Sequence, residues 1–432
     1  MMTYEEALAY IHSVDWKGSR PGLERIAELT ERLGHPEDSL RFIHVAGTNG
    51  KGSFCSMLDS VLTAAGYRVG LFTSPYIERF NERIRLSGED ISDEDLARDT
   101  ETVRACASEM ADSPTEFELI TAIALVYYKR MGCDFVVLEC GLGGRLDSTN
   151  IIKTPVLSVI TGVDLDHTAL LGTTPAEIAA EKAGIIKPGV PVLFGEGCDE
   201  AEAVIRATAE EKNSPYYRTD FSAVTGVRSS LDGTDFSFRG KPQHLSLLGL
   251  YQTRNAATVL AAVSLLRAEG ICVPEDDVQK GLRCARWSAR FEPLSRSPLI
   301  VYDGAHNPQG IEAAAENIRA LLSPLTPDGK ILLLMGVMAD KDHRKMTADL
   351  TPLVSHVFTV TPSNARSLDA AGLSREFSDL GVEAVSFDTL EEGVKEAVRA
   401  ATEEGRPLVC LGSLYMYADV KRAVSAALGE LC

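Results

Sequence analysis

The sequence is short of positive charge. It contains 43 lysine and arginine residues against 62 aspartate and glutamate residues, a formal net charge of −19. A nucleic-acid-binding protein needs a basic surface to replace phosphate counterions, so this deficit argues against nucleic acid as a partner. It argues equally against docking on anionic membranes. A small anionic substrate remains compatible with the composition where a local positive site overcomes the overall field.

Paired cysteines and long apolar runs are also lacking. The nine cysteines are scattered and no two have the CxxC spacing, which excludes a disulfide scaffold and a cysteine zinc site and fits a reducing compartment. The first residues lack the basic start and apolar stretch of a signal peptide. The longest nearly uncharged apolar run, residues 119–128, is far shorter than the roughly 20 residues needed to cross a bilayer. We therefore expect a cytoplasmic protein that does not associate with membranes.

Short β-branched runs alternate with longer amphipathic patterns in the first half of the chain. The patterns predict strands at residues 42–46, 69–73, 135–140, 157–161 and 190–195, and helices at residues 53–65, 93–110, 116–131 and 175–184. This βαβ rhythm favours a parallel sheet covered by helices on both faces. The first domain is thus predicted to be a doubly wound α/β domain.

The second half of the chain shows a different segment and then a new βα series. Residues 214–248 alternate in short steps and predict a small antiparallel insertion, followed by helices at 251–269 and 275–284. A proline- and serine-rich stretch, residues 291–298, precedes predicted strands at residues 299–302, 331–335, 356–360, 384–387 and 408–411. We therefore predict an N-terminal domain of residues 1–296 and a Rossmann-like α/β domain of residues 297–432.

A glycine-rich loop joins the first predicted strand to the first predicted helix, with the sequence Gly47-Thr48-Asn49-Gly50-Lys51-Gly52-Ser53. Glycines let backbone N–H groups approach a phosphate, and a helix N-terminus adds partial positive charge. Lys51 supplies a full charge, and the Ser53 hydroxyl is a potential Mg²⁺ ligand. The spacing is not that of the usual Walker loop, and a simple glycine turn is the alternative. The strand–loop–helix context nevertheless predicts a P-loop-type nucleotide-binding domain.

The unusual spacing resembles the loop of the folylpolyglutamate synthase and dihydrofolate synthase family, relatives of the Mur ligases. Further motifs follow in the family's order along essentially the whole chain: Thr73-Ser74-Pro75-Tyr76, Glu139-Cys140-Gly141, Asp164-Leu165-Asp166-His167, Glu181-Lys182, Gln252-Thr253-Arg254-Asn255, Arg290-Phe291-Glu292 and Asp303-Gly304-Ala305-His306. The resemblance implies an ATP-dependent amide ligase that joins L-glutamate to the carboxylate of a reduced folate or of dihydropteroate. An acyl phosphate is the implied intermediate, and ADP and phosphate are released.

The resemblance also implies a magnesium centre, with two Mg²⁺ ions. The implied metal ligands are Ser53, Ser74, Glu139 and His167, and Glu139, His167 and Lys182 carry the implied catalytic roles. In the family the lysine is carbamylated, which gives it a negative charge. From the residues alone, Glu139 could instead cap the following glycine turn, His167 could be a turn residue, and Lys182 could lie on a solvated helix face.

The implied ATP-binding residues come from both predicted domains. They are Thr48, Asn49, Gly50, Lys51, Gly52, Ser53, Asn255, Arg290, Asp303 and His306. An amide such as that of Asn255 can read the adenine edge as donor and acceptor, and the planar guanidinium of Arg290 suits a phosphate. The alternatives are a helix-surface asparagine, a surface ion pair for Arg290 and a turn-stabilising role for His306.

The implied folate or pteroate site rests on segments whose resemblance to the family is weaker. Its residues are Gly22, Leu23, Thr115, Phe117, Glu118, Leu146, Asp147 and Ser148. Phe117 either stacks on the pterin ring or packs in the core. The chain departs from the family where it has Tyr76 and Tyr251, often histidines, and Ser288-Ala289 before Arg290, often Pro-Gly. These departures spare the metal and phosphate residues, so they bear on substrate preference and on the loop at Arg290.

Two other functions compete with the folate–glutamate ligase. A Mur-type peptide ligase usually carries a nucleotide-sugar-binding domain ahead of the loop, whereas only 46 residues precede Gly47 here. A nucleotide-binding module without ligase activity would leave Glu139, His167, Lys182 and Asp303 unexplained as a set. We expect a monomeric ligase whose partners are ATP, L-glutamate and either reduced folates or dihydropteroate, or both.

Overall fold

The computed structural model describes residues 2–14 and 20–431. Contacts along the chain divide it into two compact units. The first consists of Met1–Val224, Phe238–Gln243 and Arg254–Ala285, and the second of Thr225–Ser237, His244–Thr253 and Arg286–Cys432. The division of the chain into domains of residues 1–296 and 297–432 stays a prediction, and the strand Glu292–Arg296 belongs to the second unit.

The first unit is built on an eight-stranded sheet. Its strands are β1 (Phe42–Ala46), β2 (Val69–Phe72), β3 (Ile84–Leu86), β4 (Glu89–Asp90), β5 (Phe135–Glu139), β6 (Leu157–Gly162), β7 (Val192–Glu196) and β8 (Tyr216–Arg218). Their order is β4-β3-β2-β5-β1-β6-β7-β8. The six strands from β2 to β8 in this order pair in parallel, whereas β3 and β4 form an antiparallel edge. The carboxyl ends of β2, β5, β1 and β6 consequently lie side by side.

Helices follow most strands of this sheet. They are α1 (Tyr4–Ser13), α2 (Glu24–Arg32), α3 (Lys51–Ala64), α4 (Asp93–Ala107), α5 (Glu116–Met131), α6 (Thr168–Leu171), α7 (Pro175–Ala183) and α8 (Asp199–Glu211). Local chemistry sets their ends: Thr115 and Glu118 form a capping box at the start of α5, and Gly132 ends it at φ 64°. The apolar face of α5 packs with Phe42, Phe72 and Val136 in one core of the unit.

The predicted insertion is a separate three-stranded sheet. Its strands β9 (Val224–Ser230), β10 (Gly233–Phe238) and β11 (Lys241–Leu245) lie in the order β11-β10-β9. Two residues join each pair, and such short connections require antiparallel neighbours. The prediction was wrong at the start of the segment, because β8 pairs in parallel with β7 and extends the large sheet. The helices α9 (Tyr251–Ala268) and α10 (Glu275–Cys284) follow.

The second unit contains a six-stranded sheet. Its strands are β12 (Glu292–Arg296), β13 (Leu299–Tyr302), β14 (Ile331–Met335), β15 (Val354–Thr359), β16 (Glu383–Ser386) and β17 (Leu408–Leu411), in the order β12-β13-β17-β14-β15-β16. Only β12 is antiparallel to its neighbour within the described sheet. The helices are α11 (Pro308–Asn317), α12 (His343–Leu350), α13 (Ala370–Asp379), α14 (Leu390–Glu404) and α15 (Tyr417–Leu431). The predicted α/β fold class is thus confirmed.

Among residues 2–14 and 20–431, no helix is long and apolar enough to cross a membrane.

The close approach of α10 to α3 generates a stability prediction. A Cβ atom at Gly281 would lie 2.7 Å from the backbone nitrogen of Val61, so the two helices would have to separate. We expect Gly281→Ala to lower the free energy of unfolding by about 1–3 kcal/mol. Gly429→Ala in α15 is the matched control, because no atom beyond its chain neighbours and the adjacent backbone of its own helix lies within 4 Å of its Cβ position. The control should be neutral or stabilising by up to about 1 kcal/mol in denaturant unfolding; equal effects of the two substitutions would contradict this account.

Candidate active site

The loop after β1 has no space for side chains at two of its glycines. Gly50 is the N-cap of α3 at φ 82°, and a Cβ atom there would lie 2.5 Å from Asn255 Oδ1. A Cβ atom at Gly47, where φ is 157°, would collide with the hydroxyl of Thr161. Glycine alone tolerates both the conformation at Gly50 and these close approaches. The loop is therefore a fixed feature of the fold, which makes a simple solvent-exposed turn a poor description of it.

The end of β6 holds this loop in place. The Thr48 backbone N–H donates to Gly162 O at 2.8 Å, and the Thr48 hydroxyl donates to Asp164 O at 3.0 Å. The hydroxyl of Thr161 donates to Asn49 O at 2.7 Å. Sequence reasoning missed Thr161 and Gly162, although their position at the carboxyl end of a predicted neighbouring strand was an available signal.

Lys51 and Ser53 open α3 directly after the loop. Lys51 Nζ donates to Gly47 O at 2.9 Å and to Thr48 O at 3.3 Å, so its ammonium lies over the loop. The side chain of Ser53 is buried. The arrangement puts a full positive charge and the N-terminus of a 14-residue helix at one point, which is the arrangement that binds phosphate.

Glu139 ends β5, next to β1 in the sheet. It is 3% exposed, and its Oε2 accepts a hydrogen bond from the backbone N–H of Ser74 at 3.2 Å. The structure thus brings together two of the four predicted metal ligands. A buried carboxylate is an oxygen donor of the kind that suits Mg²⁺. Among the described residues, no group of three or more His, Cys, Asp or Glu side chains is placed to hold a metal ion.

His167 lies in the connection after β6. It is the N-cap of α6 with φ 49°, and its backbone N–H donates to Asp166 Oδ1 at 2.8 Å. Its side chain is 50% exposed, and Nε2 lies 4.0 Å from Asp166 Oδ2. The turn conformation agrees with the alternative of a turn histidine, and the exposed ring leaves the ligand role as a prediction.

Lys182 lies in the last turn of α7 and is 2% exposed. The alternative of a solvated helix face is therefore wrong for this residue. Burial, and next the charge of Lys51, lower the pKa of the Lys182 ammonium to about 7, while Cys140 and Asp166 oppose the shift. A large fraction of Lys182 is consequently a neutral, nucleophilic amine near neutral pH.

The glycine-rich turn after Glu139 packs against α7. A Cβ atom at Gly144 would lie 2.9 Å from Glu181 O, and the Arg145 guanidinium contacts the Glu181 carboxylate at 2.8 Å. Asp147 accepts hydrogen bonds from the Leu142 N–H at 2.8 Å and from the Thr149 hydroxyl at 2.6 Å. The hydrogen bonds to the Asp147 carboxylate therefore hold this turn in its conformation.

A buried hydrogen-bonded chain continues from Asp147 under the turn. Since the Thr149 hydroxyl donates to Asp147, it accepts from His44 Nε2 at 2.9 Å, and Cys140 Sγ lies 3.2 Å from the same nitrogen. Burial, with a contribution from Lys187, lowers the pKa of His44 to about 3, so the imidazole is neutral. Sequence reasoning missed His44 and Thr149, which lie 105 residues apart.

The predicted folate residues gather at the start of α5 and in this turn. Phe117 partly packs on the core, and its ring would contact a Cβ atom at Gly141 at 2.6 Å; its centroid lies 5.9 Å from that of Phe72. Phe117 thus contacts both the core and the turn after Glu139. Leu146 is half-buried, and Ser148 is buried beside Asp147 in the same turn.

The other predicted folate residues have structural partners. Glu118 caps α5 through the Thr115 N–H at 2.7 Å and pairs with Arg25 Nε at 3.0 Å, with both side chains at least nine-tenths buried. Gly22 adopts φ 142°, and Leu23 is the N-cap of α2. These contacts fix the segments in place, and the ligand-binding roles of all eight residues stay predictions.

In the second unit, Asp303 follows β13 and is 3% exposed. It accepts hydrogen bonds from the hydroxyl of Tyr251 at 2.9 Å, from the Phe291 N–H at 3.0 Å and from the Ala305 N–H at 2.8 Å. Burial raises its pKa, and the nearby charge of Arg290 opposes the rise.

His306 and Tyr76 are more open. His306 is half-buried and its Nδ1 lies 2.8 Å from Gly304 O, a contact within its own turn. Tyr76 follows Ser74, is 38% exposed, and has the Arg83 guanidinium 5.1 Å from its ring centroid.

Comparison with known proteins defines the class first. A family model of the Mur ligase middle domain matches residues 45–263, and a model of the Mur ligase glutamate ligase domain matches residues 289–414. These two models cover the phosphate loop in the first unit and the Arg290–Asp303 region in the second.

Individual relatives narrow the class. A folylpolyglutamate synthase from Lacticaseibacillus casei is 38% identical, over 98% of this chain and 99% of its own length. A dihydrofolate synthase/folylpolyglutamate synthase from Bacillus subtilis is 36% identical, over 97% of this chain and 98% of its own. The solved structure of E. coli FolC in complex with DHPP and ADP is 32% identical, with a TM-score of 0.85 and 98% of each chain covered. The chain belongs to the folylpolyglutamate synthase and dihydrofolate synthase family.

The lowered pKa of Lys182 makes the free energy of unfolding depend on pH. Between pH 7 and the ordinary lysine pKa of 10.5, the unfolded chain binds a proton at this residue that the folded chain does not. The free energy of unfolding of the wild type should therefore rise with pH in this window relative to Lys182→Met. Denaturant unfolding in CO₂-free buffer at pH 7 to 10 measures the difference, and a pH-independent difference would refute the burial effect.

The residue before Arg290 has an unfavourable backbone conformation. Ala289 has φ 56°, a left-handed conformation that costs an alanine more than a glycine. We expect Ala289→Gly to leave the free energy of unfolding unchanged or to raise it by up to about 1 kcal/mol, because relief of strain offsets the added freedom of the unfolded chain. A loss of more than about 1 kcal/mol in thermal or denaturant unfolding would contradict this interpretation.

Proposed function

We propose that this chain is an ATP-dependent ligase that adds L-glutamate to the carboxylate of a reduced folate, of dihydropteroate, or of both. The observation that carries the proposal is the convergence of Lys51, Lys182 and Glu139 where the carboxyl ends of β1 and β5 adjoin the phosphate loop. Family membership supports the same conclusion, since the relatives named above are folylpolyglutamate and dihydrofolate synthases.

The reaction proceeds in two displacements. A carboxylate oxygen of the acceptor attacks the γ-phosphorus of ATP, the bond to the β-phosphate oxygen breaks, and ADP leaves. The glutamate amine then attacks the acyl carbon, loses a proton and expels phosphate. Crowding of anionic groups is the main obstacle to the first displacement, so positioning and charge neutralisation supply most of the catalysis.

The loop residues bind and orient the nucleotide in this proposal. In this proposal the backbone N–H groups of Asn49 to Ser53 face the phosphates, and Lys51 exchanges its contacts with Gly47 O and Thr48 O for phosphate oxygens. Asn255, which lies against Gly50, is the residue proposed to read the adenine edge. In the second unit, Arg290, Asp303 and His306 are the proposed nucleotide contacts.

Ser53, Ser74, Glu139 and His167 are the residues that would hold Mg²⁺. When bound, the metal would neutralise charge on the phosphate oxygens. Glu139 is already fixed by the Ser74 N–H, so this carboxylate needs little reorganisation to act as a ligand.

Carbamylation of Lys182 is part of the proposal. The neutral amine adds to CO₂, forms an N–C bond and releases one proton, which converts a neutral amine into an anion. Burial and the neighbouring Lys51 charge favour the neutral amine that reacts, and the positive charge of Lys51 also favours the anionic product.

An ADP-release assay with L-glutamate and Mg²⁺ tests the function. Dihydropteroate and tetrahydrofolate are supplied in turn, and release with at least one of them, dependent on glutamate, is the expected result. Tight ATP binding without ADP release in either case would favour a nucleotide-binding module and reject the ligase.

The role of Lys182 has its own test. Lys182→Ala should lose at least about 100-fold in turnover, because removing one preorganised charged group commonly costs that much, while ATP affinity stays within about threefold. Short carboxylic acids should partly restore turnover in this variant, since they replace the lost anionic group. Wild-type turnover by Lys182→Ala, or unchanged activity of the wild type in CO₂-depleted buffer, would refute the carbamate.

A further inference from the structure

The carboxylate of Asp303 is largely occupied by the protein itself. Tyr251 and the Phe291 N–H donate to Oδ2, and the Ala305 N–H donates to Oδ1. An ionised carboxylate offers about four acceptor positions, so these three donors leave about one, on Oδ1. Through these hydrogen bonds Asp303 joins the segment before β12 to the turn after β13.

The segment that Asp303 holds carries Arg290 between two residues in the left-handed region. Ala289 has φ 56° and Phe291 has φ 46°. Non-glycine residues keep such conformations only where their surroundings enforce them. Here the Ala289 N–H donates to Glu292 Oε2 at 2.7 Å, and the Gly304 N–H donates to Ala289 O at 2.8 Å.

Tyr251 is the one side-chain donor to Asp303 among the hydrogen bonds described above. It opens α9, 52 residues before Asp303. Burial, with the charge of Asp303, raises the pKa of Tyr251 well above its ordinary range, so the phenol keeps its proton. A histidine at this position would also offer an N–H donor.

We propose that Tyr251 is a positioning residue: by holding Asp303, and through it the Phe291 N–H, it fixes the direction of the Arg290 guanidinium for a phosphate of ATP. This inference rests on the function proposed above. It makes Tyr251 an indirect determinant of nucleotide affinity that touches neither the phosphates nor the acceptor carboxylate.

Calorimetric titration of the full chain with ATP and Mg²⁺ tests the inference. Tyr251→Phe should weaken ATP binding about tenfold, the usual effect of losing one hydrogen bond to a charged group, and raise the KM for ATP similarly. The KM for glutamate should not change. Tyr251→His should restore affinity to within about threefold of the wild type, because it restores a donor.

A matched control and a double mutant separate positioning from general stability. Tyr216→Phe removes a tyrosine–carboxylate hydrogen bond of the same 2.9 Å length, to Glu202 in the first unit, and should leave ATP affinity unchanged. In an Arg290→Gln background, Tyr251→Phe should change affinity less than about twofold, because its effect passes through Arg290. If Tyr251→Phe does not fold, Asp303→Asn is measured in its place with and without Arg290→Gln; positioning predicts a loss of at least about tenfold that nearly disappears in the Arg290→Gln background, and the same loss in both backgrounds would overturn it.

Wild-type affinity in the folded phenylalanine variant, or the same loss with and without Arg290, would overturn the inference. A failure of this inference can be distinguished from a failure of the proposed ligase function. A wild type that binds ATP without releasing ADP rejects the ligase, whereas the ATP affinities of the Tyr251 variants still decide the positioning role.

Discussion

The first unit depends on one steric constraint. Where the chain passes from β1 into α3, two glycines have no room for a side chain. Gly47 lies against Thr161, and Gly50 lies against Asn255. These contacts fix the direction of the backbone N–H groups and place Lys51 over the loop. They also tie the loop to β6, so the neighbouring strand end, with Asp164 and the His167 turn after it, is placed by the same contacts.

This geometry resolves the conflict between a net charge of −19 and polyanionic substrates. Lys51 and the N-terminus of α3 concentrate positive charge at the phosphate loop. A buried ammonium group at Lys182 is unfavourable, because it is desolvated and because the charge of Lys51 repels it. The pKa of Lys182 is lowered for this reason. Conversion of Lys182 to an anion, or the arrival of phosphates, would remove that cost.

Much of the fold followed from hydrophobic periodicity. The strands Phe42–Ala46, Leu299–Tyr302, Ile331–Met335 and Leu408–Leu411 and the helix Glu116–Met131 have the predicted bounds, because each is a clear run or a capped pattern. Short, half-exposed elements were harder. The strand β8, which has exposed and partly exposed residues, was assigned to the insertion, although its pairing partner β7 lies about 20 residues earlier in the chain.

The site was predictable as a set of motifs but not as a network. Charged neighbours made Lys182 look solvated, yet the turn at Gly144 packs on the same helix and the lysine is buried. Glu118 and Asp147 matched family segments, while their partners Arg25 and Thr149 are known only once the chain is folded. Likewise Tyr251 stood out as a departure from the family, and only the structure connects it to Asp303.

The most direct test of the central claim is the affinity of Lys51→Met for ATP with Mg²⁺, measured by calorimetry. Methionine keeps the length of the side chain and removes its charge, while the glycine contacts that shape the loop are unaffected. If a local positive site overcomes the acidic surface, affinity should fall about 10- to 100-fold with the fold intact. Unchanged affinity would mean that Lys51 and this loop do not bind the nucleotide phosphates.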